Sequence, residues 1–390
     1  MLTRPQQMQQ DSNAGGDAGG ATSLRERVMD WRDRMVMKPS FRRWAARFFL
    51  TKPIARQQSA KLFDIASGFV KSQTLLACVQ LGLLDRLAKG PARSEALAHE
   101  LGLNSDAMAR LLSAAAAIDL VMRLPDGRYR LGGLGPAVVG EPGILAMVEH
   151  NATFYRDLAD PVALLRGEGR PTQLERYWAY SGANNPDALE GERVSAYSEL
   201  MAASQRMVAE EVLAVYPVAR HRRLVDVGGG EGAFVAEAGR AAPGLELGVF
   251  DLPAVVTRAA ASLHRQGMSA RFHGHGGNFF TDPLPDGADL VSLVRVLHDH
   301  NDDEAMVLLR NIRASMQPGA TLLVAEPMAD AAGAHAVGDS YFAFYLLAMG
   351  RGRARSAAEI SNMLNSAGFG RIRQIRTNTP VITQLVVAGA

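Results

Sequence analysis

His298 lies shortly after a largely apolar run at residues 290–293, and Glu326 closes the next such run at residues 321–325. If the two runs are neighbouring strands of one sheet, their tips bring an imidazole and a carboxylate together. Such a pair serves as a general base, because the acid fixes the imidazole tautomer and stabilises the imidazolium formed when a proton is taken. A second constellation lies upstream, in RLVDVGGGEGA at residues 223–233. Here Gly228, Gly229, Gly230 and Gly232 allow close approach of a ligand to the backbone, and Asp226 and Glu231 flank them. The spacing Gly228-x-Gly230-x-x-Ala233 meets a loose dinucleotide fingerprint. A pyrophosphate, however, needs free N–H groups and no nearby anions. Carboxylates at this mouth suit the sulfonium and ammonium of S-adenosylmethionine instead. The alternative for Asp226 is a cap on the loop amides. Asp251 ends the apolar run 245–250, where a nucleoside ribose offers two hydroxyls.

These residues need a scaffold that delivers them to one edge. Residues 224–227 read as a buried strand, the glycines as a turn and 233–241 as a helix, the opening unit of a doubly wound α/β domain. From there strand and helix alternate: 245–250, a helix through Gln266, Arg271 and Phe272, 290–293, a helix from Asp302, and 321–325. Ser356 and Glu359 form a capping box for a helix ending at Gly368, and strands near 371–376 and 382–387 close the sheet. The fold class expected is α/β, a Rossmann-like sheet at residues 219–390 behind an N-terminal helical part. Ligands of such sheets bind where the strands end.

The chain has 390 residues, enough for two or three units, with 47% hydrophobic and 21% charged residues. A net charge of +2 selects no partner, and Cys78, the single cysteine, excludes an intrachain disulfide or a cysteine-based metal cluster. No apolar run is long enough to span a bilayer and no signal-peptide core begins the chain, so a cytoplasmic enzyme is expected. Residues 1–22 are polar and small and are expected to be a disordered tail. Residues 23–61 carry eleven Lys or Arg against three Asp or Glu, with Trp31, Phe41, Trp44, Phe48 and Phe49 among them. This basic aromatic arm suits peripheral contact with an anionic membrane surface or, alternatively, packing across a dimer partner.

Residues 62–145 read as short helices, 75–88, 94–101 and 105–120, followed by a hairpin of 121–124 and 128–131 around Pro125-Asp126-Gly127. Ser105 or Asp106 is the expected N-cap of the third. This is a winged-helix outline, which raises a DNA-binding regulator as a second function class. Seven Lys or Arg against six Asp or Glu over residues 75–133 make a near-neutral face, which argues against a duplex reader and favours dimer packing. Residues 146–218 read as mostly helical, with Met147, Phe154, Tyr155, Tyr177, Trp178, Tyr180, Tyr197, Met201 and Met207 as core or as the wall of an apolar substrate pocket.

VDVGGGEG, FDLP, GNFF, RVLHDHNDDE, AEP and the late AGF, in this order, resemble the caffeate-type O-methyltransferase family, which uses S-adenosyl-L-methionine. The likeness runs from about Phe63 to the C-terminus. It implies a winged-helix-like dimerisation module and a homodimer without nucleic acid. It also implies Gly228 and Gly230 at the donor's methionine part, Asp251 and Leu252 at the ribose, and Asn278, Phe279 and Arg295 at the adenine. His298 would be the base and Glu326 its partner. The family usually has Asp in place of Asn278, often Lys at the position of Val294, and a second carboxylate at the position of Ala354, which leaves Glu326 as the single partner here. The segments at 31–56, 63–87 and 341–353 are similar to a branch in purple phototrophic bacteria that methylates the tertiary hydroxyl of acyclic hydroxycarotenoids. A bacteriochlorophyll precursor or a small phenol is the alternative substrate. The branch implies a place on the cytoplasmic face of the photosynthetic membrane.

Overall fold

The computed structural model describes residues 23–178, 204–331 and 336–390. The expected tail at 1–22, and Tyr180, Tyr197 and Met201, lie outside them. Contacts divide the chain into two units, Met1–Ser72 and Gln73–Ala390.

In the first unit three helices follow one another, Leu24–Met37, Pro39–Ala45 and Lys52–Ala66, and none of them buries a residue. Ser23 and Glu26 cap the first reciprocally, and Pro39 and Pro53 lie in the first turns of the other two, where a missing N–H costs nothing. Trp44 and Phe48, one turn apart, stack with centroids 5.0 Å apart.

The second unit opens with short helices around a leucine core. The helix expected over 75–88 is two helices, Gly68–Gln80 and Leu83–Ala88. Gly82, at φ +66, turns the chain between them, a conformation that breaks the helical ladder and that glycine adopts without strain. Ser94–Glu100 and Ser105–Ala117 follow. The N-cap of the latter is Asn104, whose side chain accepts from the Ala107 amide, in place of Ser105 or Asp106. Strands β1 (Val121–Arg123) and β2 (Tyr129–Leu131) pair antiparallel as the wing. Leu83, Leu97, Met108 and Leu112 are fully buried in this module.

The sheet that follows has seven strands: β3 (Arg223–Val227), β4 (Glu246–Asp251), β5 (Phe272–Gly276), β6 (Leu290–Val294), β7 (Thr321–Glu326), β8 (Gly370–Ile375) and β9 (Gln384–Gly389). Their spatial order is β5-β4-β3-β6-β7-β9-β8, with β9 antiparallel to both its neighbours and the others parallel. The order reverses between β3 and β6, so the ends of those strands open a crevice, the place where such sheets take ligands. Alternate residues face opposite layers. Val225, Val291 and Leu322 pack on helices Asp302–Ser315 and Ala357–Ser366. Leu224, Leu290 and Leu323 pack on helices Ala233–Ala241 and Pro253–Arg265.

Candidate active site

The glycine turn leaves β3 at the switch point. Gly228 has φ +68, and a Cβ there would stand 2.9 Å from Val296 Cγ2, so only glycine fits without displacing the segment after β6. Above Gly230 no atom lies within 4 Å of where a Cβ would stand. Two acids border this open notch. Asp251, at the tip of β4, accepts from the Gly230 amide at 2.9 Å and the Leu252 amide at 2.7 Å, which holds the turn against the second strand. Asp226 is opposite Ser292 in the β3–β6 register, and the Ser292 hydroxyl donates to it at 2.6 Å.

Burial pushes the Asp226 carboxyl up to about 7, with the nearby Asp251 charge adding to the effect. Burial also raises Asp251, against its two amide bonds and Arg258. Carboxylates that burial disfavours next to an open notch fit a cationic nucleoside, whose positive charge would favour their ionised forms. They do not fit a pyrophosphate. The residues present therefore suit S-adenosylmethionine.

Asn278 and Phe279 lie on the loop after β5. The Asn278 side chain accepts from the Phe280 amide at 3.0 Å, so it shapes its own loop, and Phe279 Cε1 comes within 3.7 Å of a Cβ placed on Gly228. Arg295, expected on the adenine side, is engaged by protein partners. Its guanidinium donates to Ser204 Oγ at 2.9 Å and is within electrostatic reach of His150, Tyr341 and His298. Its φ of +56 is rare for a residue with a side chain, and turns the chain at the end of β6.

His298 sits in a three-residue 3-10 turn, Leu297–Asp299, and is 6% exposed. Its Nδ1 is hydrogen-bonded to Glu326 Oε2, as the neighbouring strand tips required. Its Nε2 is 3.2 Å from Asp299 Oδ1. Glu326 is therefore not the single partner. A second carboxylate is present, supplied by Asp299, while Ala354 packs against aromatic residues. Burial alone would lower the His298 pKa, but the Asp299 and Glu326 charges outweigh it and the net direction is upward. A ring with a carboxylate at each nitrogen suits the imidazolium, the form a base reaches after taking a proton.

Beside it lies an aromatic layer whose Tyr341, Phe342 and Tyr345 were not among the expected wall residues. Helix Phe342–Met349 contributes Tyr345, whose hydroxyl is 2.7 Å from His150 Nε2, and Tyr341 donates to Asn151 Oδ1 at 2.7 Å. Phe342 stands edge-on to His298 at 6.4 Å between centroids. Of the expected wall residues, Phe154 is buried against Tyr345 and Tyr177 packs on the same cluster. Burial lowers the His150 pKa to about 4, so this ring is neutral. Among the described residues no cluster of His, Cys, Asp or Glu could hold a metal ion.

Comparison with known proteins agrees with this geometry. An O-methyltransferase domain matches residues 155–370, and an O-methyltransferase dimerisation domain matches residues 63–139. The demethylspheroidene O-methyltransferase of Cereibacter sphaeroides is 44% identical over 359 residues, covering 91% of this chain and 93% of that one. The enzyme of the same name from Rhodobacter capsulatus is 39% identical over 371 residues, covering 95% and 92%. The structure of human N-acetylserotonin methyltransferase in complex with SAM matches with a TM-score of 0.68 at 27% identity, covering 85% of this chain and 97% of that one. The wing-bearing module is thus a dimerisation domain, which leaves the DNA-binding alternative without support, and the chain belongs to the S-adenosylmethionine-dependent O-methyltransferase family.

Proposed function

We propose that the enzyme methylates the tertiary hydroxyl of an acyclic hydroxycarotenoid, with His298 as the general base. The names of the two purple-bacterial relatives, each matched over nine-tenths of this chain, support the substrate class over a bacteriochlorophyll precursor or a small phenol. The paired carboxylates around His298 carry the catalytic reading.

In this reading Gly228 and Gly230 approach the methionine part of the donor, with Asp226 beneath the turn. Asp251, with Leu252, takes the ribose, and Asn278 and Phe279 flank the adenine. The bound donor supplies an electrophilic methyl group on a sulfonium. A tertiary alcohol is far less acidic than a phenol, so His298 Nε2 takes the hydroxyl proton only as the oxygen forms its new bond. Glu326 holds Nδ1–H and keeps the lone pair on Nε2. Asp299, beside Nε2, stabilises the charged ring. The aromatic layer around Tyr345 and Phe342 excludes water from the step.

The enzyme works as a homodimer through its dimerisation domain, and the basic arm rests on the cytoplasmic leaflet where an apolar substrate is dissolved. Support for the latter is the excess of cations and the exposure of Trp31, Trp44 and Phe49. The test of substrate class is incubation of the purified protein with labelled donor and separate hydroxycarotenoid, bacteriochlorophyllide and catechol acceptors. Label in the carotenoid alone is expected. Label in another acceptor, or in none while donor still binds, overturns the assignment.

A further inference from the structure

The turn Leu297–Asp299 that carries His298 is a single turn of 3-10 helix, too short to fix its own direction. It is held from two sides. On the sheet side Glu326 Oε1 accepts the amides of Val296 at 3.0 Å and Leu297 at 2.7 Å. On the other side stands the segment before helix Ala357–Ser366. Arg355, 2% exposed, donates through Nη1 to the Leu297 carbonyl and through Nη2 to the His300 carbonyl, both at 2.7 Å. Its Nε and Nη2 reach Asp302 Oδ1 at 2.9 and 2.8 Å. The two carbonyls bracket His298. Gly352, at φ +78, comes so close that a Cβ would fall 2.2 Å from the His298 carbonyl oxygen, and its amide donates to Asn301 Oδ1 at 3.0 Å. The crevice among Leu297, His298, Glu326, Arg353 and Arg355 is too narrow for a water molecule.

A buried guanidinium is costly unless its donors are matched, and packing alone would be served as well by an apolar residue. The return is geometric. A planar fork spans two carbonyls and a carboxylate at once, which a lysine point charge cannot do. We infer that Arg355 is a positioning residue for the proton transfer: by holding the Leu297 and His300 carbonyls it fixes His298 between Glu326 and Asp299, and Gly352 admits the clasp. This rests on His298 being the base.

The test compares Arg355→Met, Arg355→Lys and Arg355→Ala, the last with and without added guanidinium, beside His298→Ala. Donor affinity by calorimetry is expected to stay within about twofold in all of them, which also shows that they fold. Turnover should fall about 10²-fold in the Met variant, the scale of a 1 Å misplacement, with a smaller change in KM. The acid limb of its turnover profile should move to lower pH, because the ring keeps its burial but leaves the carboxylates that raise its pKa. Guanidinium should restore turnover to Arg355→Ala and not to His298→Ala. Turnover within about threefold of native, or a loss that follows donor affinity with no shift of the limb and no rescue, overturns the inference. Native turnover in His298→Ala would overturn the base assignment itself, whatever Arg355 does.

Discussion

Glu326 grips His298 at two levels, through the ring and through the backbone that carries it. Its Oε2 is bonded to Nδ1 while its Oε1 takes the amides of Val296 and Leu297 at 3.0 and 2.7 Å. One carboxylate therefore sets both the tautomer and the place of the imidazole. A glutamine would keep the amide acceptor but present an NH₂ group to Nδ1, forcing the proton onto Nε2 where the substrate hydroxyl must be met. His298→Ala should lower turnover by roughly 10² to 10⁴, and Glu326→Gln should cost nearly as much, with donor affinity unchanged in both. Unaltered turnover in the histidine variant would mean that alignment alone carries the reaction.

The pH dependence follows from the ring's surroundings. The base must be neutral, and Asp299 and Glu326 raise its pKa above the ordinary value against the opposing effect of burial. Turnover should therefore fall as pH drops through a value above ~6.5. Asp299→Asn removes the charge at Nε2 and should move that limb downward. A limb at the same pH in native and variant would exclude Asp299 from the titration.

Much of this site was readable from order and spacing. The glycine turn follows the short strand run 224–227, and helix Ala233–Ala241 lies at the residues expected, because strand, glycine cluster and apolar periodicity agree there. The Ser356 capping box is likewise a purely local signal. What was missed depended on folding at a distance or on weak patterning. Residues 75–88 keep one apolar phase across Gly82, which hides the break. Strand β5 is FHGHG, mostly solvent-facing at the sheet edge, and lacks the apolar alternation that marks a strand, so only its first residue stood out. Asp299 turns back to its neighbour's ring only because the chain there is a 3-10 turn. The His150–Tyr345 bond joins residues 195 apart, for which a single sequence holds no signal.

Asp251 binds the glycine turn before it binds any ligand, through the Gly230 and Leu252 amides. Asp251→Ala should weaken donor binding by about 1.5–3 kcal/mol, the scale of a charge-assisted hydrogen bond, or roughly tenfold to a hundredfold. Asp251→Asn, with one acceptor oxygen, should fall between. Calorimetry showing native affinity in the alanine variant would remove Asp251 from the donor site.

The dimerisation domain covers a module whose leucine core is closed by its own helices and wing. Sedimentation without detergent should give twice the chain mass. A monomer at micromolar concentration would mean that the module serves another purpose here.

The arm of residues 23–61 combines charge with apolar exposure in a way that fits an anionic lipid surface. Trp31, Trp44 and Phe49 are 64%, 50% and 73% exposed, and the three helices of this stretch bury nothing. Each Lys or Arg near such a surface contributes about 1 kcal/mol, falling with salt, while the aromatic rings add an anchor that salt does not screen. Binding to anionic vesicles should therefore weaken at high salt without disappearing, and binding to neutral vesicles should be weaker throughout. Deleting residues 1–60 should abolish flotation and lower activity on carotenoid in liposomes more than it lowers donor affinity, because substrate delivery is lost and the site is kept. Co-flotation of full-length and shortened protein with both vesicle types is the measurement. Equal flotation of the two, or none for either, would assign the arm to the dimer partner and not to the membrane.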